Sequence, residues 1–281
     1  MTEQFEYAKP IMVERIEDCD FYHSMHVPGI GEVSGKWDLR AVVADYLGGV
    51  DFSGKRVLDV GTASGFLSFE MEKRGAEVVS FDLDDAACFE FVPHFKQQHD
   101  LGKIVNTHRR NLQWRKNSYW LAHRALQSSA RVYYGNISDL PDGLGRFDVV
   151  VFGMVLSHLR DPFQALYSGS RLSTKLLIVT NQTMKMKEPF ACFMPDPDDK
   201  SLITVWWAFS DGCIKRMLGV LGFRVTHTVM SRPECLVRGR KGHELCTAFV
   251  GERMSTGPID ALTSWLGRKS VSKWKAAEEW A

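Results

Sequence analysis

The sequence predicts an α/β fold built on a doubly wound, mostly parallel sheet, and three observations carry that expectation. Residues 55–68 run Lys-Arg-Val-Leu-Asp-Val-Gly-Thr-Ala-Ser-Gly-Phe-Leu-Ser. They read as a short apolar strand, a tight turn from Gly61 to Gly65, and the start of a helix that stops at Gly75. Residues 77–82 then give a second apolar run that ends on Asp82. Residues 146–153, Arg-Phe-Asp-Val-Val-Val-Phe-Gly, are apolar almost throughout, as a central parallel strand buried on both faces must be.

Taken in order, residues 1–20 are polar, with Ile11, Met12, Arg15 and Ile16 at helical spacing. Residues 21–31 are aromatic, turn-rich and carry Tyr22, His23 and His26. An apolar helix is expected over 39–47, stopped by Gly48 and Gly49. The central strand, turn and helix follow, then the second strand and a helical start over 86–95. From Leu101 to Ser138 there is no acidic residue, but seven Lys or Arg interleave with Trp114, Tyr119 and Trp120. Such a segment suits a basic, aromatic face for nucleic acid. It also suits an amphipathic helix, because Tyr119, Ala122 and Leu126, and Trp120, Leu121 and Ala125, fall at helical spacing. A third use is a grip on an anionic small acceptor by Arg109, Arg110 and Arg115.

Residues 131–141 read as the third strand and its turn, and 146–153 as the fourth strand. Residues 163–172 form the next helix and 175–180 the fifth strand. The stretch 181–202, with Pro189, Pro195 and Pro197, is too long for a simple connection and reads as a flap or pocket wall. Ser210 is placed to cap a helix over 211–221. Residues 222–229 and 244–250 are two further strands around a basic loop with Arg232, Arg238, Arg240 and Lys241.

Composition bounds the rest. A net charge of +1 argues neither for nor against nucleic acid. The 281 residues, 44% hydrophobic, suffice for a sizeable core without covalent staples. Six cysteines occur with no C-x-x-C pair, so no zinc site is spelled and no metal is expected. The first residues lack an apolar signal region, and no apolar run reaches 18 residues, which makes a cytoplasmic protein without membrane spans the expectation.

Gly61 and Gly65 do not make the dinucleotide pattern G-x-G-x-x-G, and no Lys-Ser/Thr follows to make a phosphate loop. An acid such as Asp82 at the tip of a second strand can accept from both hydroxyls of a ribose. The order Val-Leu-Asp-Val-Gly-x-x-x-Gly, then Val-Val-Ser-Phe-Asp, resembles class I S-adenosylmethionine (SAM) methyltransferases. That resemblance implies a Rossmann-like, seven-stranded sheet closed by an antiparallel pair, with an N-terminal helical lid. It implies three parts: a lid over 1–50, a methyltransferase domain over 51–251 and a tail over 252–281. It also implies SAM as cofactor, with S-adenosylhomocysteine as its product.

On the same resemblance, Gly61, Thr62, Ala63 and Gly65 would border the methionine part of SAM, with Asp59 ordering the turn or meeting the amino group indirectly. Asp82, with Leu83 beside it, would hold the ribose. Asn136 and Ile137 would meet the adenine, although relatives often carry Asp where this chain has Asn136; an Asn ending a strand also needs no ligand. Gly153 and Met154 would lie near the methyl group. The run Val-Leu-Ser-His-Leu-Arg-Asp-Pro over 155–162 resembles the turn after the fourth strand. His158 there is either a base for the acceptor or a structural ligand of the backbone. Tyr22, His23 and His26 are candidate acceptor-site groups of the lid, or they pack the lid onto the core. Trp206 or Trp207 would present a ring to the sulfonium, or fill the core.

Lys36-Trp37-Asp38 is similar to the tRNA wobble-uridine carboxymethyltransferases, in which the lysine helps bind a carboxylated SAM. This chain departs from them at Gly-Thr-Ala-Ser-Gly, where they carry Gly-Cys-Gly-Ser-Gly, and at Ser157, where they carry Tyr. The expected function is therefore SAM-dependent methyl transfer to oxygen or nitrogen of a small molecule. tRNA modification is the rival, resting on the basic segment. A SAM-binding module acting through a partner is the second rival, resting on Trp265, Trp274 and Trp280 of the tail.

Overall fold

The computed structural model describes residues 5–84, 90–94, 101–199, 203–237 and 240–254. In chain order these form β1 (Met25–Val27), β2 (Gly31–Val33), β3 (Trp37–Asp38), α1 (Val43–Tyr46), β4 (Arg56–Val60), α2 (Phe66–Lys73) and β5 (Glu77–Leu83). There follow α3 (Leu101–Ala125), β6 (Arg131–Gly135), β7 (Phe147–Gly153), α4 (Pro162–Leu172), β8 (Ser173–Met184), β9 (Ala191–Phe193) and β10 (Trp207–Ser210). The last elements are α5 (Asp211–Val220), β11 (Phe223–Ser231), β12 (Glu234–Val237), β13 (Arg240–His243) and β14 (Cys246–Arg253).

Among the described residues the central sheet has nine strands, seven of them on its main path in the order β6-β5-β4-β7-β8-β14-β11, with β10 paired to β8 and β9 to β10. The first five are mutually parallel; β14 runs antiparallel to both β8 and β11. Alternation along each strand sends side chains to two separate cores. Val57, Val149, Val151 and Ile178 face one, with Phe66, Leu67, Tyr119 and Trp120 of α2 and α3. Leu58, Val150, Phe152, Leu177 and Val179 face the other, with Leu166 of α4 and Ile214 and Leu218 of α5. The expected doubly wound sheet is therefore present, and the strand order reverses between β4 and β7, where such sheets open a crevice at the C-terminal strand ends. Local signals are honoured too. Gly75 takes φ 89° just past α2, and the Ser210 hydroxyl accepts from the Cys213 amide to cap α5.

The N-terminal segment departs from its helical spacing. Around Ile11–Ile16 only a 3-10 turn forms, over Ile16–Asp18. Pro10 supplies no amide hydrogen, and the neighbouring backbone groups are used in docking: the Ala8 amide donates to Val132 of β6, and Arg124 of α3 donates to the Val13 carbonyl. The lid is thus made of turns and short strands, with β3 hydrogen-bonded to β12 of the distant hairpin β12–β13. That hairpin replaces the loop expected between the last two strands; Arg240 and Lys241 lie on β13, and Arg238 is outside the described residues. The helix expected over 39–47 shrinks to α1, because Leu39 and Arg40 belong to a turn in which Asp38 accepts from the Arg40 amide.

Other expectations shift by degrees. Segment 101–125 is one helix, with Tyr119, Trp120, Leu121 and Ala122 buried, while Leu126 past its end is 37% exposed. The stretch 181–202 is partly strand: β8 continues to Met184 and β9 pairs with β10. Residues 90–94 carry no helix; 86–89 and 95, and the tail with Trp265, Trp274 and Trp280, lie outside the described residues.

The lid strands approach one another closely at Gly35. A Cβ there would stand 2.4 Å from the His23 carbonyl carbon, and the Gly35 amide donates to the Ser24 hydroxyl. Gly35→Ala is expected to cost about 1–3 kcal/mol through overpacking. It should also speed amide exchange at Ser24 and Trp37, whose bonds to Trp37 and Tyr22 carbonyls hold the lid. Unchanged exchange at both amides would show the approach to be slack.

Candidate active site

The turn between β4 and α2 is held from three sides. The Gly61 and Thr62 amides both donate to the Phe81 carbonyl of β5, at 2.9 and 3.0 Å. Asp82 then reaches back: one carboxylate oxygen accepts from the Ala63 amide at 2.7 Å and the other from the Leu83 amide at 2.7 Å. Ala63 sits at φ 51°, a left-handed conformation that a non-glycine residue adopts only when its surroundings hold it there. Gly61 is at φ 84°, and a Cβ on it would stand 2.6 Å from Val155. Burial raises the Asp82 pKa and its backbone hydrogen bonds oppose the rise. Each of its oxygens retains a second lone pair for a ligand hydroxyl.

Under the turn lies a chain of buried hydroxyls. Ser68 donates to Asp59 at 2.6 Å; Thr62 and Ser80 lie 2.8 and 2.7 Å from the Ser68 oxygen; Tyr119 lies 2.8 Å from Ser80. With Asp59 ionised, Ser68 spends its one proton on the carboxylate. Thr62 and Ser80 must then donate to Ser68, and Tyr119 to Ser80. The chain joins the turn, α2, β5 and α3 into one unit. Asp59 is fully buried, its Oδ1 has no partner among the described residues, and burial pushes its carboxyl up to about 6 against the Ser68 hydrogen bond.

The lid is fastened to the same turn. The amides of Tyr22 and His23 both donate to the buried Ser64 hydroxyl, at 3.2 and 3.1 Å. Between lid, turn and the ends of β4, β5, β6 and β7 is a cavity of about 410 Å³. His158 lies on its wall. Its Nδ1–H donates to the Thr204 carbonyl at 2.8 Å, which leaves the lone pair of the neutral ring on Nε2. Burial, then the charges of Lys36 and Arg115, lower the His158 pKa, while the Thr204 bond opposes this. His23 is pushed down to about 3 by burial and by Arg115, so it too is neutral, with Nδ1 unpartnered among the described residues.

The structure brings most of the expected site residues to this cavity. Tyr22, His23, Lys36, Gly61, Ala63 and Asp82 line it, as do Leu83, Asn136, Ile137, Gly153, Met154 and His158. Asp59, Thr62 and Gly65 do not: the first two belong to the buried chain below, and Gly65 at φ 89° begins α2. Asn136 uses its side-chain oxygen to accept from Ser138 in its own turn, at 2.9 Å, with a second lone pair left over. Met154, at φ 61°, donates its amide to Thr180. Neither Trp206 nor Trp207 lines the cavity; their indole N–H groups donate to the Glu90 and Arg160 carbonyls, so both serve packing. No residue of 181–199 lines it either, and Thr204 stands there instead.

Sequence reasoning missed Tyr46, Leu67, His108 and Leu112 of the lining. A signal existed for two of them: His108, Leu112, Arg115 and Tyr119 are spaced four, three and four apart, one stripe of a helix. Among the described residues no His/Cys/Asp/Glu group is arranged to hold a metal ion.

Comparison with known proteins is consistent with this geometry. A family model described as a methyltransferase domain matches residues 38–227. The ubiquinone biosynthesis O-methyltransferase of Alkalilimnicola ehrlichii is 30% identical over 149 residues, 50% of this chain and 47% of that protein. A ribosomal protein L11 methyltransferase of Alteromonas mediterranea is 37% identical over 73 residues, 26% of this chain and 25% of that protein. The chain thus spans at most about half the length of these curated relatives. Among solved structures, the N-terminal domain of EvdMO1, crystallised in the presence of S-adenosylhomocysteine and D-fucose, superposes with a TM-score of 0.50 at 16% identity. The match covers 85% of this chain and 93% of that one, and shows a shared fold.

The buried carboxyl has a measurable consequence. Its folded pKa of about 6 stands above the ordinary carboxyl value of 3.8, so between these the native state binds more protons than the unfolded one. Asp59 therefore weakens the fold as pH rises from 4 to 6, by an amount that reaches about 3 kcal/mol. Asp59→Asn is expected to flatten the slope of unfolding free energy over this window in urea titrations; a slope as steep as that of the parent would contradict the assignment.

Proposed function

The chain belongs to the methyltransferase-domain family, of the class I SAM-dependent kind, and on that premise we propose that it transfers a methyl group from SAM to an oxygen or nitrogen of a small-molecule acceptor. One observation carries the reading. A single cavity under the lid gathers Gly61, Asp82, Asn136 and Gly153 from the C-terminal ends of four neighbouring parallel strands, and sets His158 opposite them. Its volume falls in the range of small-molecule and cofactor sites, about 300–1,000 Å³.

The residues present fit the cofactor. Asp82 keeps acceptor capacity on both oxygens, as the two hydroxyls of a ribose require. Ile137 offers an apolar side chain beside Asn136 for a flat base. Gly153 keeps the wall open, since a Cβ there would stand 2.9 Å from Leu67. Gly61 and Ala63 border the space for the methionine part, with Leu83 beside the ribose and Met154 beside the reacting end. Bound there, SAM would supply an electrophilic methyl group on a sulfonium: the acceptor lone pair would bond to the methyl carbon as the carbon–sulfur bond breaks and the sulfur leaves as a neutral thioether.

The chain's own task is then positioning, exclusion of water and movement of one proton. Tyr22 and His23, tied to Ser64, close the cavity over the acceptor. His158, neutral and with its lone pair on Nε2, takes the proton that an acceptor hydroxyl or amine loses as the new bond forms. The name of the Alkalilimnicola relative, an O-methyltransferase of ubiquinone biosynthesis, supports a small-molecule oxygen as acceptor. The division into lid (1–50), catalytic domain (51–251) and tail (252–281), and a cytoplasmic place of action, belong to the same proposal.

A second reading, methylation of tRNA, draws on one feature: Lys103, Arg109, Arg110 and Trp114 are all exposed on α3, with the Arg110 guanidinium 5.4 Å from the Trp114 ring centre. Against it, Arg115 and Lys116 of the same segment are turned toward Tyr22 and Tyr134.

Calorimetry with SAM tests the reading first. The parent protein is expected to bind it, and Asp82→Ala to weaken binding by roughly 100-fold through two lost charge-assisted hydrogen bonds; equal affinity removes the ribose assignment. With an acceptor in hand, His158→Gln should lower kcat by about 10²–10⁴ while leaving SAM affinity alone, and abolish the acid limb of the pH profile. Unaltered turnover would return His158 to a structural role. Steeply salt-dependent tRNA binding, absent for small acceptors, would promote the second reading.

A further inference from the structure

Two cations border the cavity on the side of the lid. Lys36 and Arg115 both line it, and both lie against one ring: the Lys36 ammonium is 6.0 Å and the Arg115 guanidinium 5.1 Å from the centre of Tyr22. Lys36 is exposed, so this corner is the rim, and among the described residues no carboxylate pairs with Lys36. Arg115 shares an ion pair with Asp20 at 3.4 Å, and the Asp20 side chain is 44% exposed, where solvent weakens it. The acids of the lining make backbone hydrogen bonds of their own, and Asp82 also feels the charge of Arg115. Asp82 holds the Ala63 and Leu83 amides, and Glu90 accepts from the Arg160 amide.

We propose that the acceptor carries an oxyanion, a carboxylate or phosphate, which docks at this rim between Lys36 and Arg115 against the ring of Tyr22. The inference rests on the methyl-transfer reading and names its substrate class. Arg115 is suited to the role because α3 holds it rigidly. His108, Leu112 and Arg115 form the cavity-facing stripe of that helix, and Tyr119 on the same stripe is fixed by its hydrogen bond to Ser80. At 25 residues α3 is about 37 Å long, far longer than the five-residue strand β6 that follows it. Of the three arginines singled out in the sequence for an anionic acceptor, Arg109 and Arg110 are exposed and do not line the cavity; Arg115 alone does.

The surroundings keep the positive field intact. His23, His108 and His158 are each held below the ordinary histidine range, first by burial and further by the charge of Arg115, so the wall behind the cations is neutral imidazole. An anion at the rim leaves the deeper end of the acceptor to face His158 and Met154. A neutral acceptor of the same shape would bring no charge to meet these two cations.

The test uses the full chain saturated with S-adenosylhomocysteine, at low and constant ionic strength. Benzoate, phenyl phosphate and the neutral benzamide are titrated into it by calorimetry. The expected result is at least a tenfold preference for one of the anions over benzamide, reduced to threefold or less in Arg115→Gln and partly restored in Arg115→Lys. Lys36→Gln should lower the preference without changing the melting temperature. No preference in the parent, or a preference that survives both neutral substitutions, overturns the proposal. So does a tenfold loss of S-adenosylhomocysteine affinity in Arg115→Gln with unchanged binding of 5′-methylthioadenosine, because the anion held there would then be the cofactor's own carboxylate. Failure of S-adenosylhomocysteine to bind the parent removes the methyl-transfer reading and this inference together; binding without anion preference removes this inference alone.

Discussion

Everything around the cavity depends on how the turn from Gly61 to Gly65 is held. Its backbone is left-handed at Gly61, Ala63 and Gly65, and the alanine among them is in a conformation it would not choose alone. Asp82 holds the Ala63 amide, the Phe81 carbonyl holds Gly61 and Thr62, and Ser64 receives the lid. One five-residue turn therefore sets the floor of the cavity, the orientation of the acid at the tip of β5 and the position of Tyr22 and His23. A ligand that contacts Asp82 touches the same carboxylate that fixes the turn. The Asp82 carboxylate and the lid are thus coupled through the turn, by its bond to Ala63 and the two lid bonds to Ser64, rather than through a long path.

The cost of this arrangement is carried one layer down. Asp59 is buried without a cation, and four hydroxyls lean on it in a fixed direction. Such a network is strong when complete and expensive when broken. It also explains why α3 can act as an arm. Tyr119 ends the network, and three residues on the same stripe of the helix face the cavity. The buried acid and the rim cations are therefore parts of one mechanical unit, which runs from the β4 tip through Ser68 and Ser80 to α3.

Much of this was legible in the sequence because it is local. The strands expected at 56–60, 146–153 and 175–180 each centre on an apolar run buried on both faces, and Gly75 and Ser210 end and begin helices by their own chemistry. That Gly61, Asp82, Asn136 and Gly153 would gather at one cavity was legible through their order along the chain. What failed was non-local. The helical spacing at Ile11–Ile16 was real but lost to docking on β6 and α3, and the β12–β13 hairpin with its link to β3 has no local signature. His108 and Leu112 lie on a helix whose approach to the cavity depends on tertiary packing. Ser68 inside a helix and Ser80 inside a strand are polar residues at buried positions, and that mismatch was the readable trace of the network.

The central claim is that the cavity at the strand ends is the SAM site, with Asp82 as its ribose anchor. A crystal structure of the protein with S-adenosylhomocysteine tests this most directly. The account predicts ribose hydroxyls on the Asp82 carboxylate, the adenine beside Ile137 and Asn136, and the sulfur beside Gly153 and Met154 across from His158. Ligand bound elsewhere, or lying in the cavity with its ribose away from Asp82, would contradict it.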